Sequence, residues 1–205
     1  RYFLGLDLGR NDPSAFVLLH DEQLPEWGQS SEQRLSERRR TVVWADRVRD
    51  TAYTDLARHT ASLLAKPALQ GRTTLVVDAT GLGTPFCDVL TEGGIDHMAV
   101  TMTAGQSWAR KGNKVTVAKN VLLESLATAF ETGGVEIAAD LPLRDQLLAE
   151  VGSFELQSTA AGSLVLSGGG RGHHADMAIA LALAFFTAEE FVGRGVRVSH
   201  LRGFF

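Results

Sequence analysis

Three aspartates occupy positions in the sequence where a carboxylate has few ordinary partners. Asp7 lies inside the apolar segment LGLDLG, Asp78 ends the strand-like run TTLVVD, and Asp176 is the only charge in the apolar segment DMAIALALAFF. A carboxylate is costly to bury alone. Each acid has an ordinary structural interpretation: a hydrogen-bonded strand residue for Asp7, a turn cap for Asp78 and a helix start for Asp176.

Considered together, the three acids predict a metal site. Open α/β sheets place ligands at the carboxyl ends of their strands, and Asp7 and Asp78 belong to strands that can be neighbours. A last helix packed across that edge would bring Asp176 to them, and three such carboxylates need a cation between them. Oxygen ligands without a Cys/His cluster favour Mg²⁺ or Mn²⁺. Two such ions would hydrolyse a phosphodiester by activating water and stabilising the leaving oxygen.

The elements that must position these acids follow from hydrophobic patterning. Alternation and β-branched runs predict strands, and apolar residues at helical spacing predict helices. The predicted strands are 2–8, 14–20, 41–48, 73–77 and 97–102, with a small late hairpin formed by FELQ and SLVLS. The predicted helices are 51–64, 85–90, 119–131, 141–151 and the segment GHHADMAIALALAFFTAEEF, which should be buried on nearly every side.

This order of elements predicts an α/β fold, a mixed central β-sheet flanked by α-helices. No internal repeat or linker divides the chain, so we expect residues 1–205 to form a single domain. The segment 21–39 is polar, without apolar periodicity, and is expected to be an irregular excursion.

Composition and net charge limit the kinds of protein that this sequence can encode. The chain has 205 residues and a formal net charge of −4, so a sequence-wide electrostatic case for nucleic-acid binding fails. Two basic clusters are expected in loops, as solvated charge or as local phosphate contacts; they comprise Arg34, Arg38, Arg39 and Arg40, and Arg110, Lys111, Lys114 and Lys119. One cysteine excludes an intramolecular disulfide. No signal peptide or membrane-length apolar run is visible, and the missing initiator methionine suggests an excised fragment.

Three motifs in one order, GLDLGRNDPSA, LVVDATGLGTPF and GHHADMAIALALA, resemble the C-terminal nuclease domain of the large terminase subunit of tailed bacteriophages. The similarity spans nearly the whole chain and includes the segment from VTVAKNVLLES to LLAEVGSF between the second and third acids. The resemblance implies a ribonuclease-H-like fold and a metal-dependent endonuclease that cuts concatemeric viral DNA during genome packaging.

The resemblance also implies roles for individual residues. Asp7 would bridge two divalent cations, Mg²⁺ or Mn²⁺, while Asp78 and Asp176 would each supply a further ligand. Where the family often has a second acid before the last one, this chain has Ala175.

Residues around these acids are further candidates. His174 could supply a nearby donor, with less support for His173. Lys119 matches a family lysine that opens a helix, and could meet a DNA phosphate together with Arg110, Lys111 and Lys114; the same cations can equally be solvated surface charge. Asp12 is a peripheral candidate, with an Asp-Pro turn as its simpler role.

The partners implied by the resemblance are double-stranded DNA, the terminase small subunit, the portal protein and the terminase ATPase domain. The chain has no G-x-x-x-x-G-K-[ST] loop, so the ATPase is expected outside it. The implied location is the host cell cytoplasm, with no membrane association.

Three other interpretations remain open from the sequence. GLDLG and DATGLGT also resemble phosphate loops of actin-like and sugar-kinase ATPases, which ATP binding would reveal. A Holliday-junction resolvase or transposase core shares the acid triad and would prefer branched DNA. An inactive docking module would bind no metal.

Overall fold

The structure is a computed structural model that describes residues 1–9, 12–27, 33–81, 83–158, 164–167 and 175–192. The strands within these ranges are β1 (Tyr2–Asp7), β2 (Ser14–Glu22), β3 (Pro25–Trp27), β4 (Gln33–Leu35), β5 (Arg39–Val48), β6 (Thr73–Asp78), β7 (Met98–Thr103), β8 (Trp108–Lys111), β9 (Lys114–Ala118), β10 (Glu136–Ile137), β11 (Glu155–Ser158) and β12 (Leu164–Ser167). The helices are α1 (Tyr53–Leu64), α2 (Gly83–Glu92), α3 (Lys119–Glu131), α4 (Arg144–Gly152) and α5 (Asp176–Val192).

Eight strands form one mixed sheet in the order β10-β5-β2-β1-β6-β7-β9-β8. The strands β1, β2 and β5 pair antiparallel, whereas β1, β6, β7 and β9 are mutually parallel neighbours. The carboxyl ends of β1 and β6 therefore meet at one edge, as the sequence predicts. The α/β class and the mixed sheet with helices on its faces are confirmed.

The sheet separates two hydrophobic cores. Because side chains alternate along a strand, Leu4 and Leu6 of β1 pack with α1 and α2 on one face, while Phe3 joins the core that contains α5 on the other. Asp7 lies two residues beyond Gly5 and four beyond Phe3, so its side chain is directed to the α5 face. Val76 of β6 also belongs to the α5 core, which places Asp78 on that face too.

Helix α5 is enclosed by other elements, as its apolar sequence predicts. It contacts β1, β2 and β6 on the sheet and α3 and α4 on its other side, and every residue in 177–188 is buried. The contact with β1 depends on Gly5, where a Cβ atom would lie 1.8 Å from the carbonyl oxygen of Ala180. Only glycine permits this backbone approach.

The expectation of a basic loop at 110–114 is wrong. Arg110, Lys111 and Lys114 belong to the β8–β9 hairpin, in which Lys111 pairs with Lys114 across a turn that contains Gly112 at φ +64°. Val115 and Val117 alternate inward while the basic residues remain exposed. This period-two pattern is an edge-strand signal that the run of positive charges obscured.

The first arginine cluster is also not a solvated loop. Arg39 and Arg40 open β5, and Arg34 lies in β4. Arg38 forms a bidentate pair with the buried Asp21, and Arg40 pairs with Glu189 of α5. The polar excursion predicted for 21–39 contains the antiparallel pair of short strands β3 and β4, whose sequences show no apolar alternation.

No helix within the described ranges has the length and apolar character needed to span a bilayer.

Candidate metal centre

The candidate centre lies at the carboxyl edge of β1 and β6. These parallel strands pair in register up to Leu6 and Val77, so Asp7 and Asp78 are the next residues side by side. Both side chains are directed to the α5 face. Asp78 is 8% exposed and Asp7 is half-buried.

Asp176 approaches Asp7 and Asp78 from the helix layer that packs on this face of the sheet. It is the first residue of α5, the helix that runs over β1 at Gly5. Its charge is close enough to Asp7 to raise the pKa of that carboxyl group. The structure thus brings together the three acids that the sequence singled out.

The electrostatics of the centre follow from this crowding. Burial of the carboxyl group raises the pKa of Asp7 well above its usual range, and the charges of Asp78 and Asp176 raise it further. Burial also raises the pKa of Asp78, although hydrogen bonds from Thr80 oppose that rise. A hydrogen bond joins Asp7 to Asp78; it raises the pKa of Asp7 and lowers that of Asp78.

Thr80 holds Asp78 in place. The Thr80 backbone N–H donates to Asp78 Oδ1 at 2.8 Å, and the Thr80 hydroxyl accepts from the backbone N–H of Met102 at 2.9 Å. The side chain of Thr80 also hydrogen-bonds to Asp78 and thereby favours its ionised form. One threonine connects the carboxylate to the neighbouring end of β7.

We expect Thr80→Val to destabilise the protein by about 1 kcal/mol, because the hydroxyl partner of Met102 is lost. The same change should raise the pKa of Asp78, since its carboxylate loses a hydrogen-bond donor. Urea unfolding and NMR titration of the Asp78 carboxyl carbon measure the two effects. Thr80→Ser keeps the hydroxyl and should resemble the wild type; an equally large change there would contradict the assignment.

Lys119 faces the acids. Helix α3 begins at this residue directly after β9, a parallel neighbour of β7, so Lys119 lies at the same sheet edge as Asp78. Its positive charge lowers the pKa of both Asp7 and Asp78, opposing burial, and its side chain remains exposed. It is the predicted basic residue that the structure brings closest to the chemistry.

The other predicted residues are placed differently. Arg110 packs its guanidinium 4.5 Å from the centre of the Phe191 ring and donates to the Gly112 carbonyl, while Lys111 and Lys114 lie at the turn of the hairpin. Asp12 lines a polar cavity of about 260 Å³ with Arg49 and Asp50. His173 and His174 fall outside the described residues.

The donor set fits a hard divalent cation. Burial raises the pKa of both Asp7 and Asp78, and the charges of Asp78 and Asp176 raise that of Asp7 further; a divalent cation between the three carboxylates would remove this repulsion. In the described residues, however, no three His, Cys, Asp or Glu side chains are already gathered closely enough to enclose an ion.

Sequence reasoning missed two residues next to the centre. Arg47 of β5 and Glu150 of α4 form an ion pair, and Glu150 also accepts a hydrogen bond from the first turn of α5. In the sequence, Arg47 is one charge in the predicted strand 41–48, and Glu150 is one charge in the predicted helix 141–151. Nothing local in the sequence shows that they meet.

Comparison with known proteins gives likeness in structure only. Neither a protein-family model nor a curated protein has a significant match to the sequence. The large terminase nuclease of thermophilic phage G20c with bound magnesium superposes with a TM-score of 0.61 at 23% identity, covering 90% of this chain and 80% of that one. The nuclease domain of the Thermus phage P74-26 large terminase gives 0.59 at 22% identity, covering 92% and 80%.

A third similar structure is the large terminase nuclease domain of bacteriophage SPP1 with bound Mn, at a TM-score of 0.51 and 18% identity, covering 91% of this chain and 85% of that one. At identities this low, a structural match establishes the architecture, and the function has to be argued from the residues of the site. The chain has the ribonuclease-H-like α/β fold of large terminase nuclease domains, as the resemblance of its three motifs to that family implies.

Proposed function

We propose that this protein is a metal-dependent endodeoxyribonuclease that cuts concatemeric viral DNA during genome packaging. The observation that carries the proposal is the convergence of Asp7, Asp78 and Asp176 at one sheet edge, where the charges of Asp78 and Asp176 raise the pKa of Asp7. Structures with the same fold are terminase nucleases, and two of them hold magnesium or manganese. Acids clustered in this way are typical of functional sites.

In the proposed mechanism the chain supplies position and charge. Asp7, Asp78 and Asp176 would hold the divalent cations, with Asp7 as the shared ligand that the family resemblance implies. Bound in this way, the cations would supply an activated water and charge to stabilise the leaving oxygen of a phosphodiester. Lys119 offers a positive charge to the DNA phosphate beside the acids, and Thr80 keeps Asp78 ionised and oriented.

The direct test is cleavage of supercoiled plasmid. With Mn²⁺ or Mg²⁺ we expect nicking and linearisation, and EDTA should stop both. Preference for four-way junctions over linear duplex would favour a resolvase instead, and ATP binding without cleavage would favour an ATPase fragment. A protein that neither binds Mn²⁺ nor cuts DNA would be a docking module.

The role of Asp176 is tested by calorimetry. Asp176→Asn should weaken Mn²⁺ binding, since one carboxylate ligand becomes a neutral amide. Unchanged Mn²⁺ affinity would restrict Asp176 to its place at the start of α5.

We expect Lys119→Ala to flatten the dependence of DNA affinity on salt. If Lys119 contacts one phosphate, the slope of log K against log salt should fall by about 1. Fluorescence anisotropy with a short duplex, with Ca²⁺ as a non-catalytic ion, measures this slope. Lys66→Ala, at an exposed position beyond α1, is the matched control and should leave the slope unchanged.

The proposed partners follow from the same function. Double-stranded DNA is the substrate, and the terminase ATPase domain, the small subunit and the portal protein would help to hold it. With a net charge of −4, the domain is expected to bind DNA weakly on its own, through local cations near the acids.

A further inference from the structure

An ion pair lies beside the three acids. Arg47 of β5 pairs with Glu150 of α4, and Glu150 is 7% exposed. Pairing across the sheet sets Asp7 opposite Ala15, and Ala15 opposite Arg47, so these residues form one row on the α5 face. At a strand spacing of about 4.8 Å, the Arg47 backbone lies roughly 10 Å from that of Asp7.

Glu150 also holds the start of α5. Its Oε2 accepts the backbone N–H of Ala178 at 3.0 Å, in the first turn of the helix that Asp176 begins. The first amides of a helix have no partner within it, and a side chain at the N-cap usually accepts one of them. Here Ala175 precedes the helix and has no side-chain acceptor, so a carboxylate from another helix does this work.

A buried ion pair of this kind adds little net free energy to the stability of a fold. Desolvation offsets much of the attraction in a buried ion pair, and an apolar replacement often stabilises as well. Within the described part of the chain, Arg47 Nε is buried and has no hydrogen-bond partner, which adds to the cost. The pair instead fixes the position of the start of α5. Because Arg47 neutralises Glu150, the carboxylate that caps α5 adds no fourth net negative charge beside the three acids.

We propose that Arg47 and Glu150 are positioning residues that fix the first turn of α5, and with it the Asp176 carboxylate, against Asp7 and Asp78. The inference rests on the proposed function in taking Asp176 as a metal ligand. The contacts themselves do not depend on metal.

The central experiment replaces both members of the pair with methionine. Arg47→Met/Glu150→Met leaves no uncompensated charge, so it should fold with stability near the wild type. It should bind Mn²⁺ about tenfold more weakly in calorimetry, the loss expected for a group that orients a ligand. In the metal-free protein, hydrogen exchange at the Ala178 amide should accelerate at least about tenfold, since that amide loses its acceptor.

Two further variants separate positioning from general stability. Glu150→Gln keeps an oxygen for the Ala178 amide but turns its NH₂ group toward Arg47, so it should lower stability. Because the first turn of α5 keeps its acceptor, Mn²⁺ affinity and amide protection should nevertheless lie within about threefold of the wild type. Asp21→Ala breaks the buried pair with Arg38, which donates to the Ala188 carbonyl toward the other end of α5. It should lower stability without changing Mn²⁺ affinity.

Wild-type Mn²⁺ affinity and Ala178 protection in the double variant would overturn the inference, as would an equal loss of affinity in Asp21→Ala. A wild-type protein that binds no Mn²⁺ would instead refute the proposed function. Amide exchange at Ala178 would then decide the positioning role alone: acceleration in the double variant but not in Glu150→Gln supports it, and its absence refutes it.

Discussion

Replacing Asp7 with asparagine should abolish DNA cleavage and at the same time make the metal-free protein more stable. The loss of activity is expected to reach about 10³-fold, because in the proposed mechanism Asp7 helps to hold a metal charge that would be worth several kcal/mol in the transition state. The gain in stability follows from the buried, crowded position that raises the pKa of Asp7. An amide at this position carries no charge to bury.

The sign of the pH dependence follows from the direction of this shift. The folded state of the metal-free protein keeps the Asp7 proton to higher pH than the unfolded state does, so its stability falls as pH rises above about 4, the ordinary pKa of Asp. The loss is complete above the raised pKa of the folded state. The stabilisation by Asp7→Asn should therefore be absent at acid pH and grow as pH rises, to at least ~1 kcal/mol, or about 2–4 °C in Tm.

Thermal unfolding in EDTA across this pH range, with plasmid cleavage in Mn²⁺, tests both parts of the prediction. Asp96→Asn makes the same chemical change at an exposed position in the segment before β7 and should alter neither stability nor cleavage. Cleavage by Asp7→Asn at the wild-type rate would remove Asp7 from the mechanism. Lower stability at neutral pH would contradict the burial of a crowded carboxyl.

Gly5→Ala should be among the most damaging single-methyl changes in the chain. The added carbon would lie 1.8 Å from the carbonyl oxygen of Ala180, and backbone on both sides leaves no flexible side chain to move. Overpacking of this kind commonly costs 1–3 kcal/mol, and a backbone contact belongs at the upper end, so we expect about 3 kcal/mol or more. Helix α5 must lift from β1, which displaces Asp176 and should reduce cleavage.

Urea unfolding with and without Mn²⁺ measures the cost. Gly152→Ala is the matched control, because no atom lies within 4 Å of its added carbon and alanine favours the end of α4. It should unfold at the same urea concentration as the wild type or slightly higher. If Gly5→Ala did so too, the close approach of α5 to β1 would be refuted.

Local sequence patterns were sufficient to predict much of the architecture. The β-branched run before Asp78 and the apolar run after Asp176 predicted a strand and a buried helix, because burial on all sides leaves a continuous apolar sequence. The meeting of Asp7 with Asp78 followed from strand order, since parallel neighbours end at one edge. These features depend on the chain near each residue and on general rules of sheet topology.

The features that were missed depend on distant partners. The β8–β9 hairpin carries few apolar residues because it lies at the edge of the sheet, so only Val115 and Val117 indicated a strand. Glu150 has its role because α4 packs on α5, and Arg47 because β5 lies two strands from β1. No window of sequence contains both members of that pair.

The contact between Gly5 and Ala180 also has a consequence for biosynthesis. It joins the first strand to the last described helix, so the chain must close a loop of nearly its whole length before Asp176 can meet Asp7. A ribosome-bound chain that has emerged only as far as α4 can pair β1 with β6 but holds just two of the three acids. Cleavage competence should therefore arise late, when α5 docks, so that an unfinished chain leaves DNA intact.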